Sequence, residues 1–520
     1  MERKEKFVAE MEAGYTFKGE SLTLGGAMLD GECVTGTHVK IPLKMMNRHG
    51  LISGSTGSGK TKTLQILAEH LSQNSVPVLL MDIKGDLSGI AEPSAGHPKI
   101  DERHEAIGLP FKPDTSPIEF LTLSDEPGAR LRATLTEFGP VLFSKILGLN
   151  DNQSGVVAVV FKYCDDNDLP LVDLKDFKKA MNYLAYEGKH EIQEIYGRLS
   201  TSSVGAILRK IIEIEQQDAE RFFGEISFDV EDLCRIEQGS GRGIVSILRL
   251  TDIQDRPKLF STFMLQMLAE IYSSFPEEGD ADAPRLIIFI DEAHLVFDKA
   301  SDALLDQIEV IIKLIRSKGV GIYFCTQNPV DIPNAVLSQL GLKIQHSLRA
   351  FTAKDRKAIK MAAENYPMTE YYTTEDLVTQ LGIGEALVTV LNEKGIPTPL
   401  VHCMLRAPQS RMDILTPSEI NAALSSSVLS PKYNKEIDPE SAYEILTEKI
   451  KDAKDDAHQE EMKKMREKEK KSRSSRSKRK KSVVEELLGT TTTRQIGRTV
   501  ARELTRGLLG VLGIGGRRRR

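Results

Sequence analysis

An eight-residue string, GSTGSGKT at Gly54–Thr61, constrains the fold of this 520-residue chain more than any other feature. It matches the pattern G-x-x-x-x-G-K-[ST]. A short apolar run over 49–53 precedes it, and a helical apolar pattern over 64–71 follows it. A strand before the string and a helix after it form the context that a phosphate-binding loop requires, which argues against a chance glycine turn. The string therefore predicts an α/β protein that binds a nucleotide.

Each residue type in this string has a chemical role. Glycines let the backbone turn its N–H groups toward phosphate oxygens, Lys60 places a cation on the β and γ phosphates, and Thr61 offers a hydroxyl to Mg²⁺. The predicted nucleotide-binding residues are Gly54, Ser55, Thr56, Gly57, Ser58, Gly59, Lys60 and Thr61. We expect them to bind a nucleoside triphosphate with Mg²⁺.

Short β-branched apolar runs that end in turn residues predict the core strands. They lie near 49–53, 78–81, 243–250, 286–290 and 320–325. Amphipathic helical patterns separate them, and this alternation predicts a doubly wound, mainly parallel α/β sheet with a P-loop NTPase core. The runs 386–391 and 398–405 flank turn residues and predict a hairpin.

Composition and spacing divide the chain into five parts. About 140 residues, 100–240, separate the second and third core strands, and their apolar spacing predicts a mostly helical inserted lobe. The predicted parts are a short N-terminal segment (1–48), a core (49–99 and 241–410), the insertion (100–240), a C-terminal extension (411–450), and a basic linker with an amphipathic tail helix (451–520).

The string LIIFIDEAH, 286–294, runs from an apolar strand directly into two acids. Beside a phosphate loop, Asp291 would hold the Mg²⁺ shell and Glu292 would orient or deprotonate the attacking water. Capping of the following helix is the alternative explanation for the two carboxylates. The pair predicts hydrolysis of the nucleotide rather than binding alone.

Further polar residues follow neighbouring strands. Gln327 would hydrogen-bond the γ-phosphate or the water, or else face solvent from a turn. Arg316 and Arg349 are the candidates, with Arg356 behind them, for an arginine finger that reaches a neighbouring subunit's γ-phosphate; the alternative is an ordinary surface ion pair. Asp82 would lie near the phosphates or cap its own turn.

Other metal sites and a disulfide framework are not expected. The five cysteines contain no C-x-x-C pair, and the histidines show no ligand spacing, so His294 is interpreted as a packing or supporting residue. The N-terminus lacks an apolar signal-peptide region, and the longest apolar stretch is too short to cross a bilayer. These features predict a cytoplasmic protein.

The net charge of −6 conceals a strong asymmetry. Residues 462–520 contain 20 Lys and Arg against 5 Glu, a charge of +15, which leaves −21 for residues 1–461. Within this tail, arginines recur every four residues over 494–506 opposite apolar residues, the pattern of a basic amphipathic helix. Nucleic acid, an anionic membrane and a partner groove all fit it, and a merely solvated charge run explains 462–481 as well.

Several longer strings carry a resemblance to a known family. The phosphate loop, FIDEAH and TQNP together resemble the HerA/FtsK group of ring-forming ATPases, and LIRSKGVGIYFCTQNPVDIPNAVLSQLG, QHSLRAFTAKDRKA and GEALVTVLNEKGIPTP resemble its bacterial YjgR-type HerA-like branch. The resemblance covers about 7–408 and implies a RecA-like, Mg²⁺-dependent ATPase, a homo-oligomer and specifically a hexamer, with helicase-like or DNA-translocating activity. Lys60, Thr61, Asp291, Glu292 and Gln327 match the family pattern, and Arg316 matches as the expected finger.

One departure from archaeal HerA concerns the N-terminus. That protein has an N-terminal β-barrel, whereas about 50 residues precede the phosphate loop here, too few for an independent barrel. The leading hypothesis is a ring ATPase that moves DNA. The alternative is a nucleotide-dependent assembly or signalling scaffold that binds partners without moving DNA.

Overall fold

The computed structural model describes residues 2–252, 256–279, 281–297, 302–435 and 437–474. The described residues form two compact units. The first comprises the described residues within 1–132, 217–222 and 226–435, and the second those within 133–216, 223–225 and 437–474.

The first unit is built on one sheet. Its strands are β1 (Ser21–Leu29), β2 (Glu32–Pro42), β3 (Gly50–Ser53), β4 (Val78–Asp82), β5 (Ile118–Thr122), β6 (Ala129–Arg130), β7 (Val245–Arg249), β8 (Leu286–Ile290), β9 (Val320–Thr326), β10 (Leu342–Gln345), β11 (Glu385–Thr389) and β12 (Val401–Leu405). Across the described residues these 12 strands are ordered β2-β1-β12-β11-β10-β3-β9-β8-β4-β7-β5-β6. Neighbours from β10 to β6 are parallel, and those from β2 to β10 are antiparallel. The expected mainly parallel sheet is confirmed.

The five predicted core strands all lie in the parallel part. They correspond to β3, β4, β7, β8 and β9. Every residue of β4, β8 and β9 is buried, because helices cover both faces of a parallel sheet, and this is why their sequences read as continuous apolar runs. The predicted hairpin is confirmed as the antiparallel pair β11–β12.

Some of the helices belong to the first unit, and others form the second unit. They are α1 (Glu2–Tyr15), α2 (Lys60–Gln73), α3 (Pro98–Ile107), α4 (Leu135–Ile146), α5 (Asp151–Asp166), α6 (Leu174–Ala185), α7 (Lys189–Gln193), α8 (Thr201–Glu215), α9 (Pro257–Ser274), α10 (His294–Phe297), α11 (Asp302–Ile315), α12 (Asn334–Leu337), α13 (Ala353–Glu364), α14 (Thr374–Gln380), α15 (Pro417–Ser425), α16 (Ser430–Tyr433) and α17 (Ala442–Ser474). Helices α4–α8 and α17 belong to the second unit.

The sheet takes two strands from within the segment 100–240 that was expected to be a helical insertion. Strand β5 pairs in parallel with β7, and β6 pairs with β5. Strand β5 carries Glu119, which interrupts its apolar pattern. The Glu119 carboxylate is nevertheless buried, because Arg235 Nη2 donates to it at 2.7 Å and Ser427 Oγ also donates to it. The segment 100–240 therefore contains strands of the sheet as well as helices.

The N-terminal segment 1–48 extends the same sheet. It supplies α1 and the edge strands β1 and β2. Phe7, Met11 and Tyr15 of α1 are buried, and the Tyr15 hydroxyl lies 2.7 Å from Pro399 O, to which it donates a hydrogen bond. This segment therefore packs as part of the first unit.

The second unit has its own aromatic core. The rings of Phe143, Phe161 and Phe177 lie with centroids 4.9–6.1 Å apart. Helix α17 contributes buried Ala442 and Leu446 near its start, whereas its residues 451–466 are exposed. A helix thus occupies 451–474, where a solvated linker was expected, because Lys, Glu and Ala are good helix formers even without an apolar face. The predicted tail helix lies in 475–520, outside the described residues.

Two further findings concern cysteines and membrane spans. All five cysteines are free thiols, and burial raises the pKa of Cys164, Cys325 and Cys403 well above the ordinary value. In the described part of the chain, none of the helices combines the length and apolar character needed to cross a bilayer.

Candidate nucleotide-binding and hydrolysis site

The predicted site residues follow the carboxyl ends of adjacent parallel strands. Strand β3 leads into the phosphate loop, β9 into Gln327, β8 into Asp291 and Glu292, and β4 ends at Asp82. The register aligns Ser53 with Thr326 on neighbouring strands. Ligands of open parallel sheets bind at this edge. The fold therefore brings the phosphate loop, the acid pair and Gln327 to one place.

The phosphate loop, Gly54–Thr61, connects β3 to the first residue of α2. Gly54, Gly57 and Gly59 all have positive φ angles, of 153°, 76° and 111°. A Cβ on Gly54 would lie 2.5 Å from the His346 side chain, so this position requires glycine on steric grounds as well. These backbone conformations let the chain curve around a phosphate group at the N-terminus of α2, which is where a helix binds an anion.

Lys60 is buried at the start of α2. Its Nζ donates to Gly54 O at 2.7 Å and to Ser55 O at 3.2 Å. Burial lowers the pKa of Lys60, and the neighbouring cation of Lys84 lowers it further, while Glu292 and Asp291 act in the opposite direction. The ammonium group therefore lies inside the loop, within electrostatic range of both carboxylates.

Two backbone hydrogen bonds fix the start of the loop to the strands on either side of β3. Gly54 N donates to Thr326 O at 3.2 Å, and Ser55 N donates to Ser347 O at 2.8 Å. These contacts hold the loop between the end of β9 and the chain that follows β10.

Asp291 and Glu292 are both buried at the end of β8. Burial raises the pKa of Asp291, while the Lys84 cation opposes the rise. Asp291 Oδ2 has no hydrogen-bond partner among the described residues. Glu292 has a φ of +45°, an unusual conformation for a residue other than glycine that costs of order 1 kcal/mol and is characteristic of functional sites.

Lys84 is a site residue that no sequence motif distinguishes. Its Nζ forms an ion pair with Glu292 Oε1, and His294 Nδ1 lies 3.2 Å from Glu292 Oε2. Burial alone would lower the pKa of Lys84, but Asp291 and Glu292 raise it overall. The signal was hidden because Lys84 follows β4 and Glu292 follows β8, about 200 residues later, and only the strand order makes them neighbours.

The Asp82 carboxylate caps its own turn, the simpler of the two interpretations of this residue. Its oxygens accept hydrogen bonds from Gly85 N at 2.7 Å, Asp86 N at 3.2 Å and Leu87 N at 3.2 Å. Burial nevertheless raises the pKa of Asp82 to about 7, and the charge of Asp291 contributes to this rise. Asp82 is thus a structural residue of the turn that presents Lys84.

A cleft of about 550 Å³ opens beside the start of the phosphate loop. Thr56, His294, Gln327, Arg349 and Phe351 are among the residues that line it. Gln327 is exposed to this cleft, while its neighbour Asn328 is fixed by the turn that follows β9. Arg349 is therefore placed beside the phosphate loop of its own chain.

Arg316 lies away from this cleft. It begins the 3₁₀ turn Arg316–Lys318 that precedes β9, so it lies at the amino end of the parallel strands, opposite the phosphate loop. There it lines a second cleft of about 480 Å³ together with the basic residues Arg48, Lys313 and Lys343. Within one chain the structure does not bring Arg316 to the phosphate loop, and its assignment as a finger remains a prediction about a neighbouring chain.

Gln345 and His346 are buried residues at the end of β10 that support the loop and were not predicted. Gln345 Oε1 accepts from Ser53 Oγ at 2.8 Å, and His346 Nε2 lies 2.9 Å from Thr63 Oγ1 of α2. Burial lowers the pKa of His346 to about 4, and the Lys60 cation adds to this effect. The imidazole is therefore neutral and serves as a hydrogen-bonding support.

The residues present fit a nucleotide-bound Mg²⁺ ion. A buried carboxylate oxygen of Asp291 has no hydrogen-bond partner in the ranges described, and carboxylate and hydroxyl oxygens are the ligands that Mg²⁺ prefers. The described residues contain no cluster of three or more His, Cys, Asp or Glu side chains suited to a metal. A cation at this edge would therefore draw most of its ligands from phosphate and water.

Comparison with known proteins gives related chains of low sequence identity. The chain is 23% identical over 360 residues to the DNA double-strand break repair helicase HerA of Saccharolobus solfataricus, covering 67% of this chain and 63% of that one. It is 25% identical over 398 residues to a probable helicase, MJECL08, of Methanocaldococcus jannaschii, covering 68% and 66%. The chain thus matches a little under two thirds of the length of the first relative.

A solved structure and a family model also match this chain. The bacterial conjugative coupling protein TrwBdeltaN70, in its trigonal form in complex with sulphate, superposes with a TM-score of 0.50 at 13% identity, covering 78% of this chain and 94% of that one. This likeness supports the expected RecA-like fold. The family model described as helicase HerA-like C-terminal matches residues 28–520. The chain therefore belongs to the helicase HerA-like C-terminal family.

Proposed function

We propose that this protein binds ATP with Mg²⁺ and hydrolyses it. The observation that carries the proposal is the convergence of the phosphate loop with Asp291 and Glu292 at one edge of the sheet. A phosphate loop alone supports binding. A buried acid pair beside it, with Lys60 within electrostatic range of both carboxylates, adds a base and a cation ligand at the place where the γ-phosphate would lie.

Each side chain has a distinct role in this proposal. Lys60 binds the β and γ phosphate oxygens, Glu292 orients and deprotonates the water, and Gln327 hydrogen-bonds the water or the γ-phosphate. Thr61 and Asp291 would hold Mg²⁺, which supplies neutralisation of phosphate charge when bound. Lys84 keeps the Glu292 carboxylate oriented through its ion pair.

The proposed output of hydrolysis is movement of DNA by a homo-oligomeric ring, specifically a hexamer, in the cytoplasm. Family membership and relatives named as helicases support this assignment. If Arg316 is the finger, it must reach the nucleotide of a neighbouring chain, because it lies at the opposite end of the strands from its own phosphate loop. The tail, 462–520, with its charge of +15, would add a second contact for a polyanion.

ATP turnover of the full-length protein, with and without duplex and single-stranded DNA, tests this function, with oligomer mass measured in the same buffer. We expect turnover that requires Mg²⁺ and rises when DNA is added. Slow turnover that ignores both kinds of DNA would instead favour a nucleotide-dependent assembly or signalling scaffold. Absence of any ATP hydrolysis by an oligomeric, folded sample would contradict the proposal.

Mixing two inactive variants tests the placement of the finger. Arg316→Ala and Lys60→Ala chains should each be inactive alone and should recover activity together, because a site that combines the loop of one with the arginine of the other is complete. Random mixing in equal amounts makes about a quarter of the sites complete if the finger acts across a subunit boundary. Mass measurements must first show that mixed oligomers form.

Arg349→Ala serves as the matched comparison in this assay. Arg349 lines its own chain's cleft, so its variant should not be rescued by Lys60→Ala. Rescue with Arg349→Ala and none with Arg316→Ala would reverse the assignment and make Arg349 the finger.

A further inference from the structure

We infer that Arg103, outside every recognised motif, is a positioning residue for the phosphate loop and sets its affinity for nucleotide. The inference rests on the proposed function. Arg103 lies on α3, whereas the phosphate loop precedes α2. The two are linked by hydrogen bonds through a turn at 382–385, which leads into β11. All of these residues belong to the first unit.

The guanidinium group of Arg103 binds three backbone carbonyls at once. Nη1 donates to Gly384 O at 3.0 Å and to Leu405 O at 2.9 Å, and Nη2 donates to Ile383 O at 3.0 Å. A planar guanidinium with several fixed donors is suited to holding such a set of acceptors, which a lysine cannot reproduce. Arg103 therefore fixes the 382–385 turn against the start of β11 and the end of β12.

The 382–385 turn holds one peptide group of the phosphate loop. Gly384 N donates a hydrogen bond to Ser58 O at 3.1 Å. Because a trans peptide is planar, its carbonyl and the following N–H point in opposite directions, so fixing Ser58 O also fixes the direction of Gly59 N–H. That N–H is one of the loop donors expected to bind phosphate, and its direction is thereby set before ligand arrives.

The close approach depends on glycine at both sides of the contact. A Cβ on Gly59 would lie 3.2 Å from Gly384 N, and a Cβ on Gly384 would lie 3.1 Å from Arg103 Nη1. Gly384 also has a φ of +74°, which side-chain-bearing residues rarely adopt. Gly59, Gly384 and Arg103 thus pack closely against one another, so a change at Arg103 or Gly384 must shift the loop.

Equilibrium binding of a fluorescent ATP analogue and steady-state ATP turnover test the inference on the full chain. Arg103→Ala should weaken binding and raise KM by about 10-fold, in line with loss of charge-assisted hydrogen bonds, while kcat stays within about 2-fold because Glu292 is untouched. The affinity of Arg103→Lys for the ATP analogue should lie between those of the wild type and Arg103→Ala. Arg411→Ala is the matched control, since Arg411 pairs with Glu419 at 2.8–3.0 Å in the same unit without touching the turn.

A second variant guards against misfolding of the first. Gly384→Ala should weaken binding similarly, and the double variant should be less impaired than the product of the two single effects, because removing the guanidinium relieves the contact with the new methyl group. Tight binding by the wild type together with equally tight binding by Arg103→Ala would overturn the inference alone. A wild type that binds no ATP analogue would overturn the proposed function and the inference with it, and an equal loss in Arg411→Ala would reduce Arg103 to a general stability role.

Discussion

Glu292→Gln is expected to bind ATP as the wild type does and to hydrolyse it at least ~10²-fold more slowly. Glutamine keeps the size of the side chain and can still hydrogen-bond a water molecule, but it cannot take a proton and cannot pair with Lys84. Single-turnover phosphate release, together with binding of a fluorescent ATP analogue, separates the two effects. Normal turnover in Glu292→Gln would exclude Glu292 as the base.

Lys60→Ala is expected to fail at the earlier step and lose tight nucleotide binding, by at least ~10²-fold, because the buried cation of the loop is removed. Lys62 provides a matched control two residues along the same helix. Its Nζ donates to Met412 O at 2.7 Å, away from the loop interior, so Lys62→Ala should retain binding. Equal losses in the two variants would show that general destabilisation of α2, rather than loss of the phosphate contact, explains the result.

Another large effect concerns stability in acid. Burial lowers the pKa of His49, His70 and His346 to about 4 each, from an ordinary value of 6.5. The folded state therefore keeps these rings neutral while the unfolded chain takes up protons below pH 6.5. Each histidine stabilises the fold fully above pH 6.5, and this contribution is lost as the pH falls toward 4, by about 3 kcal/mol per ring.

His70→Gln isolates one of these contributions. His70 Nδ1 lies 2.7 Å from Ile66 O, and Arg406 Nη1 donates to Nε2 at 2.7 Å, so a neutral glutamine can replace part of both contacts. Between pH 7 and pH 4 the variant should lose about 3 kcal/mol less unfolding free energy than the wild type. Urea unfolding followed by circular dichroism measures this difference. Circular dichroism is used because the chain has no tryptophan whose fluorescence could report unfolding.

The pH dependence of stability must be compared between the variant and the wild type, because buried acids change the unfolding free energy with pH in the opposite direction to buried histidines. Asp82, with its pKa raised to about 7, binds a proton more readily in the folded state and so stabilises the fold as the pH falls through 7. That contribution cancels when His70→Gln is compared with the wild type. If His70→Gln instead loses as much unfolding free energy as the wild type between pH 7 and pH 4, burial of the His70 ring is not the cause of the pH dependence.

The sequence predicted the parts of this protein that depend on local pattern. Strands β4, β8 and β9 are continuous apolar runs because both faces are buried, and the phosphate loop is recognisable because its glycines and lysine stand at fixed spacing. Strand β5 escaped detection because Glu119 breaks its pattern, and the partners that make its burial tolerable, Arg235 and Ser427, are far away in the sequence.

Contacts that depend on strand order were beyond prediction. The pairing of Lys84 with Glu292 exists because β4 and β8 are neighbours, and the supporting role of His346 exists because β10 lies next to β3. No spacing rule links these residues. The same holds for Arg316, whose distance from its own chain's phosphate loop follows from its position at the amino end of β9.

The left-handed backbone conformation of Glu292 links the stability of the fold to the proposed hydrolysis at a single position. Glycine would adopt its φ of +45° without strain, but it would also remove the proposed base and the ion pair with Lys84, so relief of the strain is coupled to loss of turnover. Laboratory evolution under selection for turnover should therefore retain glutamate at this position, whereas selection for heat resistance alone would not require it.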